Sequence, residues 1–152
     1  MAAFTPLSWE QIKTLQHVEQ KTRSEEEENR YRDDLQKTKK EWVSMKDFLL
    51  CDKFGLPRVQ DEKTQQFALD PQVIVPATMV RFLSNPFGYT LQPGIEHNLL
   101  WMYPCVLSKK KIVHHLEKHR PSDVWEVIWF QNVPKRQSLK QVAHVHVFSR
   151  KK

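Results

Sequence analysis

The feature that most constrains this chain is a change of hydrophobic period partway along it. Trp9, Ile12, Leu15 and Val18 recur every three residues, and Tyr31, Leu35, Thr38, Trp42, Met45 and Leu49 follow a 4-3-4-3-4 spacing. Both put their apolar residues on one stripe of a helix. Past Pro76 that spacing disappears. Met79 to Leu83, Ile95 to Tyr103, Val124 to Phe130 and Val142 to Phe148 are short apolar or alternating runs. Such runs suit strands, whose side chains alternate between two faces. Asn85-Pro86-Phe87-Gly88 and Gln92-Pro93-Gly94 supply turns between the first two. The order is helices first and mostly antiparallel strands afterwards. The expected class is α+β, with N-terminal helices packed on a mostly antiparallel sheet.

Local signals mark the element ends. Ser8 and Gln11 form a capping box, each side chain satisfying the other residue's free N–H. Ser24 opens a second helix whose first turn holds Glu25 to Glu28, where the positive end of the dipole favours carboxylates. Gly55 and Pro57 end that helical segment. Residues 58–71 are polar and turn-rich and are expected to be a surface loop. Pro71 and Pro76 bracket a short extended piece, Val73 to Val75. Ser108 caps a helix running to Arg120, with Ile112, Val113 and Leu116 facing inward. Asn132 to Gln141 is a polar connection. With 152 residues the chain has the size of one domain. We therefore expect a single domain over 1–152, helical over 1–57 and sheet-containing over 72–152.

Composition limits the classes of function. No apolar run approaches the ~18 residues needed to span a bilayer, and Met1 to Leu7 does not read as a signal peptide. Cys51 and Cys105 lack CxxC spacing, which fits a reducing compartment. The expected location is the cytosol, with the nucleus as the alternative. The net charge of +6 is uneven, with a balance of +8 from Arg81 onward and −2 before it. A basic half raises the local concentration of anions. Nucleic acid is thus one partner class the charge allows, although no zinc-finger, RRM or KH signature accompanies it.

The clearest chemical signal is Ala143-His144-Val145-His146-Val147-Phe148. Residues two apart on a strand share a face, so His144 and His146 project together. His97 lies in another strand-like run just after a Pro-Gly turn. If the two strands pair, three imidazoles gather. Three neutral imidazoles can hold zinc with an open fourth position. Alternatively, one is a nucleophile and another its partner, or the group binds a ligand without reacting. Lys109, Lys110 and Lys111 stand at the start of a helix, where cations oppose the dipole unless an anion binds there. Lys135, Arg136 and Lys140 precede the histidine strand and Arg150 follows its HxH pair.

Three segments carry a wider resemblance: Ser8-Trp9-Glu10-Gln11-Ile12-Lys13; Asn85-Pro86-Phe87-Gly88-Tyr89 with Pro93-Gly94-Ile95-Glu96-His97 and Trp101; and Trp129 to Asn132 with Gln137-Ser138-Leu139 and His144 to Val147. In order and spacing the chain resembles the fungal N-acetylglucosamine-induced protein family, whose pattern has histidines at positions matching 97, 144 and 146. That family brings no settled activity. More distantly, the C-terminal half is similar in layout to the histidine-triad nucleotide hydrolases and transferases. That likeness implies His146 as the nucleophile, with His144 as the first triad histidine and His97 on the neighbouring strand. It places Asn132 and Ser138 or Gln141 near a phosphate-binding loop. Phe148 departs from the pattern, standing where the third triad histidine belongs, and the 132–144 connection is longer than usual.

Three readings follow. The first is a histidine-centred hydrolase or transferase acting on a phosphorylated small molecule or nucleotide, with Lys109 to Lys111, Arg136 and Lys140 attracting the anion and no cofactor. The second is a non-catalytic module binding a phosphorylated ligand or nucleic acid. The third is a zinc site formed by His97, His144 and His146.

Overall fold

The computed structural model describes residues 4–15, 17, 20–132 and 142–152. Its first helix, α1 (Trp9–Thr14), begins at the expected capping box, with Ser8 Oγ accepting from Gln11 N at 3.2 Å and Gln11 Oε1 accepting from Ser8 N at 2.9 Å. Ser24 caps α2 (Glu25–Glu41) by accepting from Glu27 N. The expected single helix from Ser24 to Gly55 is in fact two. Trp42 takes extended backbone (φ −122°, ψ 146°), and Ser44 caps a new helix, α3 (Met45–Phe54), by accepting from Asp47 N. The break is repaid across space, because Val43 N donates to Phe67 O at 2.9 Å. Gly55 closes α3 in the left-handed region at φ 71°, where a Cβ would be strained.

Residues 58–71 are not a plain loop. β1 (Arg58–Gln60) and β2 (Phe67–Leu69) pair antiparallel, and the Arg58 guanidinium lies 4.1 Å over the Phe67 ring. The polar composition hid a hairpin whose strands are only three residues long. Val73 to Val75 joins no strand, and Ile74 is 90 % exposed.

The main sheet contains β3 (Met79–Ser84), β4 (Glu96–Tyr103), β5 (Trp125–Phe130) and β6 (Ala143–Lys151), in the order β3-β4-β6-β5, every pair antiparallel. Central β4 and β6 are buried on both faces, which explains the near-continuous apolar run of β4. On one face Leu100, Met102, Val145 and Val147 pack under α4 (Lys109–His119) through Ile112 and Leu116. Val113, expected to face inward, is half exposed, so the apolar stripe of α4 is narrower than its sequence implied. On the other face Phe148 joins Trp9 and Ile12 of α1, while Leu99 and Trp101 join Leu49, Leu50 and Phe54 of α3. The architecture is α+β, with the open sheet between α4 and the N-terminal helices. Among the described residues, no helix is long and apolar enough to cross a membrane.

Candidate functional site

β4 and β6 pair directly, with His97 opposite Phe148, Leu99 opposite His146 and Trp101 opposite His144. Strand alternation therefore places all three histidines on the face covered by α1 and α3. They do not meet at a point. His97 and His146 are diagonal neighbours, joined by a hydrogen bond between His97 Nε2 and His146 Nδ1 at 2.9 Å. His144 turns away, with its Nδ1 3.1 Å from Val142 O and its ring against Trp101 at 4.6 Å.

The protons of this network can be placed from one fixed donor. Tyr89 N–H, which can only donate, gives its hydrogen to His97 Nδ1 at 3.0 Å. A neutral His97 must then carry its proton on Nε2 and donate it to His146 Nδ1. His146 in turn holds its own proton on Nε2. The next atom along is Asn132 Nδ2, 2.9 Å from His146 Nε2 and 3.3 Å from the Tyr89 hydroxyl. Two N–H groups cannot face one another. Turning the amide by 180°, which exchanges two nearly isosteric atoms, lets Oδ1 accept from both His146 and Tyr89. His144 has the opposite tautomer: the Val142 carbonyl can only accept, so Nδ1 bears the proton and Nε2 is an unprotonated acceptor.

Burial enforces neutrality. His97 and His146 are 8 % and 6 % exposed, and desolvation holds the His97 pKa well below its usual value. Burial, aided by His144 and Arg23, pushes His146 down to about 3. His144 is also lowered, chiefly by burial, against the raising effect of its bond to the Val142 carbonyl. Aromatic rings complete the enclosure. Phe148 stacks on His97 at 4.3 Å, and Tyr89 stacks on His146 at 5.4 Å.

Two contributors carried little sequence signal. The 85–92 loop brings Tyr89 over the histidines because its backbone is tied to the N-terminal segments: Leu7 N donates to Thr90 O, and Thr90 N donates to Thr22 O. Gly88 lets the loop approach, since a Cβ there would lie 3.3 Å from His97 Nδ1. The Asn-Pro-Phe-Gly turn was the available clue. Arg23 had none. It precedes α2, donates through Nε to Phe87 O at 2.9 Å and through Nη1 to Glu28 Oε2 at 3.3 Å, and sits over the rings of Tyr31 and Tyr89. Its side chain is only 13 % exposed.

Arg23, Tyr89 and Asn132 share a cavity of about 250 Å³ with Leu15, Gln20, Thr22 and Phe130. A hollow of about 580 Å³ continues from it past Gln20, Thr22 and Arg23 toward Glu25, Asn29 and Arg32 on α2. Of the expected ligand-binding residues, Asn132 is at this site. Lys109, Lys110 and Lys111 are not. They are exposed at the start of α4, across the sheet from the histidines, because α4 packs on the opposite face. Lys135, Arg136, Ser138, Lys140 and Gln141 lie outside the described residues, as does Val18. Among the described residues, no group of three or more His, Cys, Asp or Glu is arranged to hold a metal ion. His97 and His146 spend facing nitrogens on each other, and His144 points elsewhere, so the zinc alternative lacks its geometry.

Comparison with known proteins adds a family and a fold. The chain is similar to the protein in the crystal structure of HTC1, with a TM-score of 0.55 and 24 % identity over 94 % of this chain and 84 % of that one. At that identity the likeness concerns the fold alone. No curated protein matches the chain. Residues 8–150, spanning every element of the α+β core and both histidine strands, match the family described as Protein of unknown function (DUF3605), and the chain belongs to it.

Proposed function

We propose that this protein is a non-catalytic binding module for a small phosphorylated ligand, held in the cavity between Arg23 and Asn132. The observation that carries the reading is the donor chain from Tyr89 N–H through His97 to His146. It leaves His146 with a proton on Nε2 and its Nδ1 lone pair committed. Nucleophilic attack on phosphorus, as the histidine-triad likeness implies, needs an available imidazole lone pair. Phe148 in the third triad position points the same way, since it supplies no donor for a phosphoryl group.

What the cavity does offer is recognition. Neutral imidazoles nearby cost the anion nothing in repulsion, and Arg23 supplies a planar guanidinium suited to phosphate or carboxylate. Its bond to Glu28 at 3.3 Å is through one nitrogen, so Nη2 is not engaged by any protein acceptor among the described residues. Leu15 and Phe130 give an apolar wall for the rest of the ligand. The narrow volume fits a phosphate with a small organic body better than a nucleic-acid duplex.

Calorimetric titration with inorganic phosphate, ribose 5-phosphate and AMP tests this. Binding is expected to weaken with salt and to fall roughly tenfold or more in Arg23→Gln, the scale of a charge-assisted hydrogen bond. Phosphate release that disappears in His146→Ala would establish the enzymatic reading instead. An absence of binding across the panel at millimolar concentration would reject the site.

A further inference from the structure

A separate cleft, lined in part by Tyr31 and Phe87 but not by Arg23, lies beneath α2. That helix buries only Thr38 of its seventeen residues. Its ends are tied to the body: Ser24 N donates to Thr90 Oγ1 at 3.0 Å, and Val43 N, just past the other end, donates to Phe67 O at 2.9 Å. Between these anchors α2 bridges a cleft of about 390 Å³. This is within the usual size of a small-molecule site, roughly 300–1,000 Å³. Its sides bring together the rings of Tyr31, Phe48, Phe87 and Trp101, with Leu35 above and Leu99 below.

The rim decides the charge of an occupant. Lys37 pairs with Glu41 at 3.9 Å and Lys53 with Asp52 at 3.0 Å, so these four charges compensate one another. Asp34 remains, its carboxylate without an ion-pair partner among the described residues. The protein's own cations already take faces of two rings, with Lys53 Nζ 5.5 Å from the Trp101 centroid and Arg23 4.5 Å from that of Tyr31, which leaves the rings of Phe48 and Phe87 to an occupant. Aromatic faces beside an uncompensated carboxylate favour a cation with an apolar body and disfavour an anion. We infer that the cleft beneath α2 is a binding site for a small organic ammonium compound carrying an aromatic or aliphatic ring. Its rings, size and net negative charge differ in kind from the Arg23 cavity, and the inference does not depend on the reading of that cavity.

The probe is 2-phenylethylammonium, compared with uncharged 2-phenylethanol and anionic 3-phenylpropionate, by saturation-transfer NMR and calorimetry on the full chain. The amine is expected to bind more tightly than the alcohol, and the acid not to bind. Asp34→Asn, at an exposed position, should weaken the amine about threefold, the scale of an exposed charge contact, and leave the alcohol unchanged. Leu35→Trp, which fills the cleft from α2, should abolish binding of both without altering phosphate binding near Arg23. Equal binding of amine and acid, binding that survives Leu35→Trp in folded protein, or no response to Asp34→Asn would overturn the inference. If Leu35→Trp fails to fold, the comparison of amine, alcohol and acid with Asp34→Asn still decides.

Discussion

Acid should unfold this protein through its buried imidazoles. In the unfolded chain His146 has the ordinary histidine pKa of about 6.5; in the fold it lies at about 3. Between those values the unfolded state holds a proton that the folded state does not. Stability from this group is therefore fully present above about pH 7 and is lost as pH falls toward 3. The slope is at most about 1.4 kcal/mol per pH unit, and going from pH 7 to pH 5 removes about 2 kcal/mol. His97 acts in the same direction, because its pKa is also held well below the usual value by burial. The loss from His146 alone is an appreciable part of an ordinary domain's roughly 5–15 kcal/mol. Urea titrations at pH 5, 6, 7 and 8, followed by tryptophan fluorescence, would measure it. His146→Phe also deprives His97 Nε2–H of its acceptor, costing about 1–3 kcal/mol at every pH. The informative quantity is the slope, which should fall in that variant. Wild-type stability that is flat from pH 8 to pH 5, or a His146 resonance titrating near 6.5, would refute the proton assignment and the burial argument beneath it.

Four further outcomes are expected. Arg120→Ala should cost about 1–3 kcal/mol in urea unfolding, because Arg120 Nε bonds the fully buried Ser149 hydroxyl and its guanidinium packs on Phe82 and Trp125. Glu96→Gln, which loses only the exposed partner of the same arginine, should stay within about 1 kcal/mol of wild type. Ser8→Ala should cost about 0.5–2 kcal/mol by breaking the capping box of α1, read from the thermal midpoint. Replacing Lys109, Lys110 and Lys111 together by Ala should leave ligand affinity at the Arg23 cavity within about twofold at physiological salt, since they lie across the sheet; a larger loss would place the ligand at α4 instead.

Much of the fold could be read from period and punctuation. The caps at Ser8, Ser24 and Ser108, the strands around residues 79–84, 96–103, 125–130 and 143–151, and the sharing of one face by His144 and His146 follow from rules linking neighbours in sequence. The break at Trp42 was not legible. A 4-3-4 spacing cannot show that Val43 finds a better hydrogen-bond partner at Phe67 than in a continuing helix. The β1–β2 hairpin was hidden for a related reason, because three-residue exposed strands leave too short an apolar pattern.

The sequence by itself determined the α+β class and a histidine pair on one face of a strand, because strand periodicity is a property of the local backbone. Tertiary structure alone decided what those histidines can do. It chose which face α4 would cover, removing the three lysines from the site, and it brought Arg23 and Tyr89 to the histidines from distant segments. It also set the protons. A single backbone N–H from Tyr89 fixes the tautomers of His97 and His146, and burial keeps both rings neutral. Those effects depend on distance and solvent exclusion between residues far apart in the chain, which no spacing along it encodes.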